Sequence, residues 1–260
     1  MASPEILAVH IMKTAGTSLR AMITEGLGPE AVYPNDADLQ KMHKGWYPGP
    51  RALEETFHAD EAHGARLLIG HVPFILAESF DPRPVTVSLL RDPIARAVSM
   101  LEHRRTRTKR FAGATLQDLL DDELVVEGQI RDYQTKIFAF DSVDECPDHV
   151  NVPLEIDDAR FARALGRLEQ VDALGVVEQF PRFASRLQEV TGLRTGQPPQ
   201  ANRGSYDRDR LDPDVRERLE ELTRRDRVLY DRAGELIAAH GPRRRAGGRR
   251  WSLRRSAPRR

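Results

Sequence analysis

Residues 6 to 20 read Ile-Leu-Ala-Val-His-Ile-Met-Lys-Thr-Ala-Gly-Thr-Ser-Leu-Arg: an apolar run, a short polar loop, and an apolar continuation with helical spacing. That order predicts a strand feeding a helix N-terminus through Lys13, Thr14, Ala15, Gly16, Thr17 and Ser18. Such a junction leaves several amide N–H groups without helical acceptors, and the helix dipole favours an anion in front of them. Gly16 permits close backbone approach, Thr14, Thr17 and Ser18 carry hydroxyls, and Lys13 adds a full positive charge. The plainer alternative is a βα turn with a Thr or Ser cap.

Residue order narrows the class of anion site. A nucleotide-triphosphate loop needs Gly-x-x-x-x-Gly-Lys-Ser/Thr, with the lysine after the last glycine. Here Lys13 comes three residues before Gly16. The Gly-x-Gly-x-x-Gly pattern of dinucleotide-binding folds is absent as well. The segment His-Ile-x-Lys-Thr-x-Gly-Thr-Ser-Leu resembles the 5'-phosphosulfate loop of sulfotransferases that use 3'-phosphoadenosine 5'-phosphosulfate (PAPS), in the branch containing carbohydrate sulfotransferases and their bacterial relatives. That branch usually has Pro at the position of Met12 and often Gly at that of Ala15. Both departures read as conservative for the backbone amides, with Met12 expected to loosen the entry to the loop.

A second segment, Val85-Thr-Val-Ser-Leu-Leu90, is a buried-strand pattern that ends in Arg91-Asp92-Pro93. Asp92 as N-cap and Pro93 as first helical residue mark a helix start, and Ile94, Ala97, Val98 and Leu101 keep helical spacing. Arg91 then stands at a strand end, with Ser99 about two turns into the helix. In the family that the chain resembles, an Arg and a Ser at this spacing bind the 3'-phosphate, which implies that role for Arg91 and Ser99. The alternative is an Arg91–Asp92 ion pair beside a solvent-facing Ser99.

The third motif is Leu67-Leu-Ile-Gly70-His71-Val-Pro-Phe74, a short strand that ends in a histidine. Open α/β sheets bind ligands at the carboxyl ends of their strands. Sulfuryl transfer to an alcohol requires removal of the acceptor proton, and histidine titrates in the range that suits this task. A similar Gly-His segment supplies the proposed base in related carbohydrate sulfotransferases, so the resemblance implies His71 as base. His10 and Glu102 are the next candidates.

Further resemblance extends over residues 5 to 238. Arg131-Asp-Tyr-Gln134-Thr-Lys136 is similar to the family's Asn-x-Gln-Thr-Arg segment, with Asp132 and Lys136 departing from it. Leu174 to Phe180 looks like its late strand-to-helix unit, and Asn202 and Asp226 to Tyr230 fit its C-terminal pattern. Gln134 and Asn202 are carried as cofactor-binding candidates, with capping and packing as their ordinary alternatives.

The chain has 260 residues, 40% of them hydrophobic, enough for one α/β core. No apolar run reaches the ~18 residues of a membrane span, and residues 1 to 12 lack a signal-peptide pattern, so a cytoplasmic protein is expected. The single cysteine, Cys146, permits no internal disulfide. The pair His58 and His63 lies five residues apart, about 140° around a helix, which argues against a metal site. The formal net charge of zero conceals an asymmetry: residues 241 to 260 hold nine arginines and no acid, leaving a body of net −9. This tail reads as disordered, able to touch anionic surfaces, with no specific nucleic-acid partner expected. The aromatic stretch from Met42 to Arg51 reads as either a sugar platform and lid or a sheet-edge cover.

Together these features predict a doubly wound, mostly parallel α/β sheet over residues 1–240, with strands at 6–11, 67–70, 85–90 and 174–178 and a P-loop-like phosphosulfate loop. The implied activity is sulfuryl transfer from PAPS to a hydroxyl of a saccharide or small molecule. Lys13 and His71 would be catalytic, and no metal is demanded. A divergent nucleotide kinase is the enzymatic alternative, with Asp92 as a magnesium-binding acid. An inactive nucleotide- or glycan-binding module is the other.

Overall fold

The computed structural model describes residues 3–41, 48–62, 64–193 and 211–239. Five strands form one sheet: β1 Ile6–Val9, β2 Val32–Tyr33, β3 Leu67–Gly70, β4 Val85–Leu90 and β5 Ala173–Val176. Helices α1 Gly16–Leu27, α2 Asp36–Lys41 and α3 Pro50–His58 precede β3. Between β4 and β5 lie α4 Pro93–Arg107, α5 Leu116–Leu120, α6 Glu123–Val125, α7 Tyr133–Ala139 and α8 Asp158–Glu169, while α9 Phe180–Thr191, α10 Pro213–Leu222 and α11 Arg224–Ala239 follow β5.

The sheet order is β2-β3-β1-β4-β5, and every pairing is parallel. Alternate residues of β1 therefore feed two cores. Leu7 and Val9 pack with Leu53 and Phe57 of α3, Ile137 and Phe138 of α7, Leu168 of α8 and Leu229 of α11. Ile6 and Ala8 face Leu19, Met22 and Ile23 of α1 and Phe180, Phe183 and Leu187 of α9. A third cluster joins Ile94, Ala97 and Leu101 of α4 to Leu119, Leu219 and Leu222. Covering both faces is what an all-parallel sheet requires, and it explains why the central strands are near-continuous apolar runs.

The expected doubly wound α/β architecture is present; β3 and β4 have the expected bounds, whereas β1 and β5 end earlier than their apolar runs suggested. The β1 ladder assignment stops at Val9, although the His10 N–H still donates to Gly70 O at 3.0 Å. β5 stops at Val176 because Val177–Gln179 turns into a 3₁₀ helix that leads into α9. β2 escaped detection because two residues carry no periodic signal. Among the described residues, no helix is long and apolar enough to cross a membrane. The Arg-rich tail, His63, and Met42 to Tyr47 of the aromatic stretch lie outside the described residues.

The register fixes the site. Val9 is opposite Gly70 on one side and Ser88 on the other. One residue further, His10 and His71 must leave the sheet side by side. After β1 the chain turns toward β3 and β2, whereas after β4 it goes toward β5, so the ends of β1 and β4 flank the topological switch point where such sheets bind ligands.

Candidate functional site

The loop after β1 is built from left-handed residues. Lys13 has φ 70 and Ala15 has φ 62. Thr14 between them is buried, and both its hydroxyl, at 2.8 Å, and its N–H, at 3.4 Å, donate to Ile11 O. The hydroxyl expected to face an anion thus closes the turn instead. α1 begins at Gly16 without a side-chain cap and without an acid in its first turn. The bond from Leu19 N–H to Ala15 O, 3.0 Å, is the first of the helix, so the amides of Gly16, Thr17 and Ser18 have no acceptor inside it. Thr17 is exposed and Ser18 partly so.

Two sequence expectations about this loop change. Met12 packs against both the α3/α7 cluster and the α4 cluster, so it anchors the loop entry rather than loosening it. Ala15 is not conservative, because its Cβ is held in a region where L-residues are disfavoured and glycine is not.

His71, half-buried at the end of β3, places its Nδ1 2.9 Å from His10 O. A carbonyl only accepts, so Nδ1 carries the proton and Nε2 is the basic nitrogen. The two imidazole rings lie 4.4 Å apart at 32°. The His10 ring in turn covers Gly16: a Cβ there would lie 1.7 Å from His10 Nε2. Strand end, second histidine and phosphate-type loop are therefore one packed unit. Burial is the main force lowering the pKa of His71, with the bond to His10 opposing it. His10 is held well below the usual imidazole range by burial, then by His71, Arg20 and Lys13.

Arg91, at the end of β4, donates from Nη1 to Lys13 O at 3.2 Å. Its backbone is held from below by Gln134, which is fully buried: Oε1 accepts from Arg91 N–H and Nε2 donates to Arg91 O, both at 2.9 Å. Gln134 thus grips Arg91 with both ends of its carboxamide. Asp92 caps α4 by accepting from Ala95 N–H at 3.0 Å, and its carboxylate takes Arg227 Nη2 at 2.7 Å. The Asp92 N–H donates to Glu178 Oε1, 3.0 Å, and Glu178 also accepts from Tyr230. Ser99 stands partly exposed on α4, eight residues beyond Arg91. Asn202 lies outside the described residues.

Like charges crowd this end of the sheet. The pKa of Lys13 is lowered by burial, then by Arg91 and Arg107, and that of Arg91 by burial. His103 is lowered by burial, Lys13, Arg107 and Arg104. Lys13 and Arg91 are both half-buried and repel one another beside the uncapped amides of α1, an arrangement that an anion would relieve. His103 and Arg107, on α4, were not singled out in the sequence, because nothing local ties them to Lys13. Glu178, Asp226 and Arg227 were seen only as parts of a resemblance, because nothing local ties them to Arg91.

No protein-family model and no curated protein matches this sequence. Among solved structures, the fold is similar to that of a sulfotransferase from Alicyclobacillus acidocaldarius, with a TM-score of 0.50, 18% sequence identity, and coverage of 92% of this chain and 97% of that one. The chain thus shares a five-stranded parallel α/β fold, over nearly its whole length, with a bacterial sulfotransferase.

Proposed function

We propose that the chain transfers the sulfuryl group of PAPS to a hydroxyl of a saccharide or small-molecule acceptor. The observation that carries this reading is the meeting of three strand ends in one bonded unit, with Arg91 on Lys13 O and His71 on His10 O. The amides of Gly16, Thr17 and Ser18 would hold the 5'-phosphate, and Arg91 with Ser99 the 3'-phosphate. Transfer forms a bond from the acceptor oxygen to sulfur and breaks the bond from sulfur to the phosphate oxygen. His71 Nε2 takes the acceptor proton, and Lys13 stabilises charge developing on the departing phosphate oxygen. In-line transfer of this kind depends on positioning and electrostatics more than on covalent catalysis, by analogy with phosphoryl transfer.

The kinase alternative needs Asp92 as a magnesium ligand. That carboxylate is committed to capping α4 and to Arg227, which favours the sulfotransferase reading. Titration calorimetry with adenosine 3',5'-bisphosphate, ADP and ATP, with and without magnesium, separates the two. The bisphosphate is expected to bind without magnesium and tighter than ADP by the ~1.5 to 3 kcal/mol of a charge-assisted contact. Equal affinities, or strict magnesium dependence, would overturn the assignment. A folded protein that binds the bisphosphate yet transfers nothing to any of a broad panel of hydroxyl acceptors would be the inactive binding module.

A further inference from the structure

We propose that Gln134 and Asp226 are positioning residues for Arg91, a buried relay that sets how well the site distinguishes a nucleotide carrying a 3'-phosphate from one lacking it. This rests on the phosphate role proposed for Arg91. Only two residues, Arg91 and Asp92, join β4 to α4. The link has left the sheet ladder at one end and has not entered the helix at the other, so its backbone needs partners from elsewhere. Gln134 supplies both for Arg91.

Gln134 is itself fixed by an exchange of caps between two helices. The fully buried carboxylate of Asp226, in the first turn of α11, accepts from Gln134 N–H at 3.1 Å, from Thr135 N–H at 2.7 Å and from the Thr135 hydroxyl at 2.9 Å. It thereby caps α7. In return Asp132, the left-handed N-cap of α7 at φ 41, accepts through Oδ1 from Arg225 N–H at 2.9 Å and Asp226 N–H at 3.1 Å, capping α11. Asp132 N–H closes the ring on Leu222 O at 2.9 Å. Each helix start is thus satisfied by an aspartate of the other, and their relative placement is fixed without a side-chain ion pair.

The next residue of α11 reaches the same link from the other side, since Arg227 holds the Asp92 carboxylate. Consecutive residues Asp226 and Arg227 therefore govern Arg91 and Asp92 by two routes, one buried and one part-exposed. A planar guanidinium that grips phosphate in fork geometry gains its strength only when oriented. Among the described residues the Arg91 side chain makes one hydrogen bond, to Lys13 O. The orientation is thus set chiefly through its backbone, which the relay holds.

The test is calorimetric titration of the full chain with adenosine 3',5'-bisphosphate and with AMP, which differ only in the 3'-phosphate. Gln134→Leu removes both bonds to Arg91 at similar volume, and it should weaken the bisphosphate about tenfold while leaving AMP within about twofold. Gln134→Glu keeps an acceptor for Arg91 N–H and should recover part of the gap. Arg227→Gln acts at a part-exposed contact and should narrow the gap without lowering Tm by more than a few degrees. If Gln134→Leu fails to fold, Arg227→Gln decides. A folded variant with an unchanged bisphosphate-to-AMP ratio, or with both ligands weakened equally, overturns the relay. A wild-type protein that does not distinguish the two nucleotides overturns instead the phosphate role of Arg91.

Discussion

His71 donates its Nδ1 proton to the carbonyl oxygen of His10, 2.9 Å away, and the ring of that same His10 lies on Gly16 at the start of α1. One residue therefore fixes the tautomer of the candidate base through its backbone and touches the phosphate-type loop through its side chain. The parallel register makes this unavoidable: with Val9 opposite Gly70, the next residue on each strand is a histidine.

That arrangement sets the pH dependence. The basic form of His71 is the neutral one, and burial lowers its pKa from the usual 6.5. Transfer is then fully supported above that lowered value and lost as pH falls through it. The acid limb of the single-turnover rate should lie below pH 6.5, and His71→Ala should cut the rate by ~10²-fold or more with bisphosphate affinity nearly unchanged. An acid limb above 6.5, or near-wild-type transfer by the variant, assigns the proton to another group. Glu102 is a weak substitute because its carboxylate is taken by Arg105 at 2.7 Å.

Gly16 is irreplaceable for a steric reason rather than a conformational one. A Cβ at this position would fall 1.7 Å from His10 Nε2, so Gly16→Ala must displace the ring and with it the stacking on His71. The expected result is a stability loss of ~1 to 3 kcal/mol, as for other overpacked sites, together with weaker bisphosphate binding and slower transfer. Thr17→Ala, at an exposed position one residue on, should leave stability within about 0.5 kcal/mol. Equal melting temperatures for wild type and Gly16→Ala would contradict the ring placement.

The sheet and the three strand-end motifs were legible because their signals are local: an apolar run, a loop composition, an Asp-Pro helix start. What was not legible is long-range. Gln134 lies 43 residues from Arg91 and Asp226 lies 92 from Gln134, and buried hydrogen bonds at such separations leave no periodic trace. Gln134 therefore read as a ligand-facing polar residue, although both ends of its amide hold a backbone. Thr14 misled in the same way, since a hydroxyl that closes a turn and one that faces an anion have the same sequence. The burial of Lys136 was equally hidden. Its ammonium donates to the carbonyls of Glu127, Gly128 and Val152, and burial lowers its pKa to about 7.

Lys13 and Arg91 should separate in a ligand comparison. Lys13→Ala removes a charge from both the bound phosphate and the transition state, so affinity and rate both fall. Arg91→Ala should instead narrow the difference between adenosine 3',5'-bisphosphate and ADP, because only the former carries the group that Arg91 would meet. Calorimetry on the two variants with both nucleotides reads this directly. An Arg91→Ala protein that weakens both equally would make Arg91 a scaffold for the loop, through its bond to Lys13 O.

Ala15 offers a stability test that is independent of any ligand. Its φ of 62 places a Cβ in the left-handed region, where an L-residue carries a cost of roughly 1 to 2 kcal/mol that glycine lacks. Glycine also widens the unfolded ensemble, which takes back ~0.4 to 1 kcal/mol. Ala15→Gly should therefore stabilise the protein by a net ~0.5 to 1 kcal/mol, a rise of about 1 to 3 °C in Tm for a chain of this size. Lys13, at φ 70, is subject to the same backbone cost, so Lys13→Gly should gain comparably in stability while losing bisphosphate affinity. Thermal melts of the two variants beside wild type check both statements. A fall in Tm for Ala15→Gly would mean that the loop does not hold this residue in the left-handed conformation.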